Sequence, residues 1–101
     1  MSVRAYRVKT IDTEDSPLFN LWHDREVMDV LEQHGFMEQL NQDACGVTYI
    51  SPDAMKDVIK HLTAQRKEAG TKEDKERLAE LIKNFQAELK SSPSGADYYC
   101  Y

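Results

Sequence analysis

The large apolar residues of this 101-residue chain fall into three helical stripes separated by short runs of a different kind. Val27, Met28 and Leu31 follow the i, i+1, i+4 spacing of one helix face, with Val30 beside them, and predict a helix over residues 24–34. Met55, Val58, Ile59 and Leu62 form a second stripe, and Leu78, Leu81, Ile82, Phe85 and Leu89 a third. Start and stop signals bracket all three. Asp24 stands as an N-cap before the first helix and Gly35 where a left-handed C-terminal residue is needed. Ser51-Pro52 supplies a cap and a first helical position for the second, which Gly70 closes. Ile50 and Met55 have the spacing of a hydrophobic staple across that start. Thr71 with Asp74 is a capping pattern for the third, which runs to about Lys90. The last two helices therefore form a helical hairpin over residues 52–90.

The remaining apolar runs are short. VRAYRVK (3–9) and VTYI (47–50) are rich in β-branched and aromatic residues and read as strands. ADYYCY (96–101) reads the same way after the helix-breaking SSPSG of 91–95, which ties the C-terminal end into a sheet. LFNLW (18–22) follows Ser16-Pro17, which suits a short helix, but the crowding of Leu, Phe and Trp favours a strand hairpinned onto 3–9. Residues 36–40 suggest one more helical turn, and 41–46 a loop. Residues 63–77 hold no apolar side chain larger than Ala, so the hairpin tip is expected to project from the core or fray.

The expected fold is α+β: a two-layer sandwich in one domain, with a small, mostly antiparallel sheet of three or four strands and the helices packed on one face. An apolar share of 41% and this length suffice for one modest core without disulfides or metal.

Charge changes the picture more than composition does. The chain carries −5, unevenly spread. Residues 1–10 hold Arg4, Arg7 and Lys9 and no acid. Residues 11–43 hold nine acids against Arg25 alone, and residues 44–90 are nearly balanced. An acidic face disfavours nucleic acid and anionic membranes and favours basic partners. No signal-peptide core, membrane-spanning run or lipidation signal is evident, and two cysteines are too few for a disulfide scaffold, so a cytoplasmic setting is expected.

Candidate chemistry is sparse. No phosphate-cradling, dinucleotide, nucleophile-elbow or zinc-protease motif occurs, and no cofactor or metal is implied. His23 with Asp24 or Glu26 has the elements of a base oriented by a carboxylate, and Cys45 is a candidate nucleophile. Both have simpler structural readings: acids at a helix N-terminus, and a small semi-buried residue. His34 in a last helical turn, His61 four residues after Asp57, and Glu73 four before Arg77 read as dipole and surface ion-pair positions. Five tyrosines, three of them near the C-terminus, are the enrichment that points outward. In a strand, Tyr99 and Tyr101 share one face and Tyr98 takes the other.

The reading is a small acidic, non-catalytic protein-interaction or regulatory domain. Asp12, Glu14, Asp15, Tyr99 and Tyr101 are its expected contacts with another protein that bears a basic surface, and a homodimer by sheet extension is open to it. A minimal enzyme using His23 with Asp24 or Glu26, or Cys45, is the first alternative. An acidic inhibitor that mimics nucleic acid is the second; it needs the acids of 12–43 arrayed on one continuous face, and a helix over 24–34 places Glu26, Asp29 and Glu32 on the side away from Val27, Met28 and Leu31, which is compatible.

Overall fold

The computed structural model describes residues 3–7, 9, 11–14 and 16–101. In chain order its elements are α1 (Arg25–Leu31), β1 (Gly46–Ile50), α2 (Pro52–Glu68), α3 (Lys72–Ser91) and β2 (Ala96–Cys100). Two 3-10 turns, Glu32–His34 and Met37–Gln39, lie between α1 and β1. Among the described residues the fold is α+β, with three α-helices and an antiparallel pair of strands on which the helices pack.

The predicted helix boundaries follow their chemistry. The Ser51 hydroxyl accepts the Ala54 N–H at 3.1 Å, Pro52 opens α2, and Thr71 accepts the Asp74 N–H at 3.1 Å. Each cap satisfies one of the N–H groups that a helix start leaves unpaired. Gly35 takes a left-handed φ of 81° after the first 3-10 turn. The three apolar stripes converge: Val27, Met28 and Leu31 from α1, Met55, Val58 and Leu62 from α2, and Leu78, Leu81 and Phe85 from α3 are buried in one cluster. Ile50, Cys100 and half-buried Tyr98 close it from the inner face of the sheet. The hairpin tip is not frayed. Helical structure continues to Glu68 and resumes at Lys72, and Ala69 packs against the core.

The sheet is smaller than expected. It has two strands among the described residues, β1 and β2, in the register Gly46↔Cys100 to Ile50↔Ala96. The segment read as a strand over 3–9 is irregular and exposed at residues 3–7 and 9, while Val8 lies outside the described residues. A strand needs a lateral partner for its N–H and C=O groups, and neither face of VRAYRVK is apolar enough to anchor one.

Residues 18–22 are not a strand either. They form a turn whose Leu18, Phe19 and Leu21 are pressed against the core. The Phe19 ring lies between Phe36 and Phe85, with centroids 6.0 and 5.9 Å away. The crowding of large apolar residues here reflects a core plug, which requires burial but no ladder.

Candidate interaction surface

The alternation of the two strands divides their side chains by face. Thr48, Ile50, Tyr98 and Cys100 turn inward. The Thr48 hydroxyl donates to the Phe36 carbonyl, and the Tyr98 hydroxyl to the Glu88 carboxylate on α3. Burial and the adjoining Glu88 both push the Tyr98 phenol upward. Val47, Tyr49, Tyr99 and Tyr101 remain exposed on the other side, with Tyr101 86% exposed. Tyr99 and Tyr101 stack on each other, their centroids 4.9 Å apart at an interplanar angle of 28°. The expected separation of Tyr99 and Tyr101 from Tyr98 therefore holds.

The turn that delivers β2 is built for this surface. Gly95 adopts φ +87°, and a Cβ there would fall 2.5 Å from the Ile50 carbonyl oxygen and against the Tyr49 hydroxyl. Only glycine leaves room for the Tyr49 hydroxyl to donate to the Ser94 carbonyl. The Tyr49 ring is thereby pinned at its far end, and its N–H is held by Gln39 Oε1 at 3.1 Å. Sequence reading counts Tyr49 in the tyrosine enrichment but places only Tyr99 and Tyr101 at the contact, and it does not bring in Val47 as their companion. The alternation within VTYI was the available signal; the pairing Val47↔Tyr99 and Tyr49↔Asp97 is what joins them.

Of the acids expected at the contact, Asp12 and Glu14 are exposed, and Asp15 lies outside the described residues. Three other acids of the 11–43 segment, Asp24, Glu26 and Glu32, are engaged. Asp24 is 7% exposed; its carboxylate accepts the Asn20 N–H at 2.9 Å and lies 3.3 Å from Arg77 Nη1. It precedes α1 as expected but does not cap it with its side chain. Glu26 takes Arg77 as a two-pronged ion pair, at 3.2 and 2.5 Å, and this holds the Glu26 carboxyl below the usual glutamate range against the opposing effect of burial. Arg77 is raised in turn, chiefly by the same bond. Its expected partner Glu73 is replaced at the start of α1, because a fork-shaped guanidinium meets there the buried Asp24 and half-buried Glu26 carboxylates, which an exposed neighbour cannot match. Glu32 pairs with Arg25 at 3.4 Å, and the Arg25 guanidinium lies 6.0 Å over the exposed Trp22 ring.

The residues considered for catalysis do not converge. His23 is exposed, and its side chain makes no hydrogen bond among the described residues. The Glu26 carboxylate next to it is turned to Arg77. Cys45 is half-buried, with Sγ 3.5 Å from the Asp43 carbonyl. Cys100 is opposite Gly46, so the two cysteines are close. Burial, with the nearby Cys45 adding to it, pushes the Cys100 thiol up. His34 bonds Asp57 at 2.8 Å and ties the first 3-10 turn to α2. It takes the carboxylate expected for His61, whose Nε2 is buried without a partner among the described residues. Two surface clefts hold about 80 and 220 Å³, and neither is lined by His23 or Cys45. Both are smaller than the roughly 300 Å³ at which ligand pockets begin.

No described helix is long and apolar enough to cross a membrane. Comparison with known protein families, curated proteins and solved structures found no match to this chain.

Proposed function

We propose that the chain is a small, non-catalytic protein-interaction or regulatory module that works in the cytoplasm and docks a partner protein on the outer face of its two-stranded sheet. One observation carries the reading: the stacked Tyr99–Tyr101 pair stands exposed beside Val47 and a Tyr49 that is pinned at both ends. Rigid aromatic side chains bury large area at small entropic cost, which suits them to the centre of an interface. Asp97 on the same face and the exposed Asp12 and Glu14 carry the acidic charge that would steer a basic protein partner.

The isolation of His23, and the engagement of Glu26 by Arg77, favour this reading over a base-catalysed enzyme. Glu26 and Glu32 in ion pairs weaken the continuous acidic array that a nucleic-acid mimic requires.

The test is retention of host-cell proteins by the immobilised chain, compared with a Tyr99→Ser/Tyr101→Ser variant of unchanged helical circular dichroism. A protein held by the wild type, lost with the variant and weakened by salt is the expected result. The same set of proteins on both columns would refute it.

A further inference from the structure

The large apolar side chains left exposed among the described residues are not scattered. Four of them, Val47, Tyr49, Tyr99 and Tyr101, are on the sheet and just beyond it; three, Val3, Tyr6 and Ile11, are on the N-terminal segment, and Trp22 stands apart. Val3 is 99% exposed and Tyr6 77%. The same segment carries Arg4, Arg7 and Lys9 with no acid before Asp12, on a chain whose net charge is −5. It has strand-like composition, and its described residues pair with no strand among the described residues.

The sheet offers the complementary feature. The Tyr49 N–H is bonded to Gln39, away from β2, so Tyr49↔Asp97 and Val47↔Tyr99 are the pairs that do not exchange ladder bonds. The backbone N–H and C=O groups of Asp97 and Tyr99 therefore point away from β1. None of the four has a hydrogen-bond partner among the described residues, and both residues are exposed. This is an open edge of the kind that templates another strand.

We propose that the outer edge of β2 receives the basic N-terminal segment, Val3–Arg7, of a second copy of this chain as a third strand. The inference rests on reading the sheet as an interaction surface, and it names the occupant of its edge. Antiparallel pairing that sets Arg7 beside Asp97 lays Ala5 beside Tyr99 and Val3 beside Tyr101, so opposite charges meet and an apolar side chain meets an aromatic one. Extension by β2 of the second copy supplies no cation for Asp97: centred on Asp97 it opposes two carboxylates, and centred on Tyr99 it sets Asp97 against Tyr101. Within its own chain the described part of the segment is exposed and irregular and does not occupy this edge, so the strand is taken from a second copy.

Sedimentation equilibrium of the purified full chain tests this, from about 10 µM to about 1 mM, the range expected for so short an edge. A monomer–dimer equilibrium is expected, weakened as salt rises from about 0.05 to about 0.5 M. Arg4→Glu/Arg7→Glu and Tyr99→Pro should each raise the dimer dissociation constant at least about tenfold. Proline at 99 removes an outward N–H and no bond to β1. The arginine variant alters exposed positions outside the core, so it remains informative if Tyr99→Pro fails to fold. Combining Arg7→Glu with Asp97→Arg should restore association.

A monomer at every concentration overturns the proposal. So does a dimer lost in Tyr99→Pro but indifferent to the arginine variant, which would mean pairing of two β2 edges. A monomer that still retains a host protein on its sheet would sink this inference alone and leave the proposed function standing.

Discussion

Arg77→Met removes one cation from between two helices and isolates two carboxylates. The methionine keeps most of the aliphatic stem, so the change is chiefly one of charge. In the wild type Arg77 bonds Glu26 with both terminal guanidinium nitrogens and reaches Asp24 with one of them. The side chains of Arg77 and Glu26 are 28% and 25% exposed, so solvent screens the pair only in part. Asp24 is nearly enclosed and keeps only the Asn20 N–H once the arginine is gone. Breaking a fully buried pair costs about 3–5 kcal/mol and an exposed one about 0.2–1 kcal/mol, so this site should lose about 2–3 kcal/mol. For a chain of this length that is a fall of roughly 10–20 °C in Tm.

The pH dependence has a definite sign. Glu26 titrates lower in the folded chain than in the unfolded one, so its contribution is complete above the unfolded value of about 4.3 and is lost as pH falls through the folded value. The gap between wild type and variant should therefore be widest near neutrality and close in acid. Urea unfolding followed by circular dichroism at pH 7 and at about pH 3 measures both quantities. A loss under about 0.5 kcal/mol at pH 7, or the same loss at both pH values, would refute the argument.

Two further outcomes follow from the surface and its support. Gly95→Ala should cost at least about 2 kcal/mol, because the left-handed φ is strained for any Cβ and the methyl group would strike the Ile50 carbonyl; a urea midpoint within error of wild type would contradict the turn geometry. The Tyr98 phenol, raised by burial and by Glu88, should stay protonated in alkaline solution until the fold opens, so the last step of an ultraviolet tyrosine titration should vanish in Tyr98→Phe and persist in Tyr101→Phe.

Local signals settled the helices. Ser51-Pro52, Thr71 and Gly35 act on the backbone within a few residues, and a periodic stripe needs only some apolar neighbour to bury it, so α1, α2, α3 and the starts of α2 and α3 were legible in advance, whereas the α-helix expected to reach His34 stops at Leu31 and finishes as a 3-10 turn. The same holds for β1 and β2, where a short β-prone run is bounded by turn residues. Partner choice was not legible. Leu18–Trp22 and Val3–Lys9 have as much strand character as Val47–Ile50, but a strand exists only where another chain segment meets its edge, and that depends on where distant residues fall. Phe19 became a core plug because Phe36 and Phe85 left a space for its ring.

Candidate contacts divided along the same line. That Tyr99 and Tyr101 share a face follows from alternation alone. That Val47 and Tyr49 join them, and that the Ser94 carbonyl beside Gly95 pins Tyr49, required the register of two strands about fifty positions apart in the chain. Arg77 is the clearest case: its spacing offered Glu73, one helical turn away. Only the packing of α3 against α1 supplied two partly desolvated carboxylates, whose attraction for a guanidinium outweighs that of a single hydrated one.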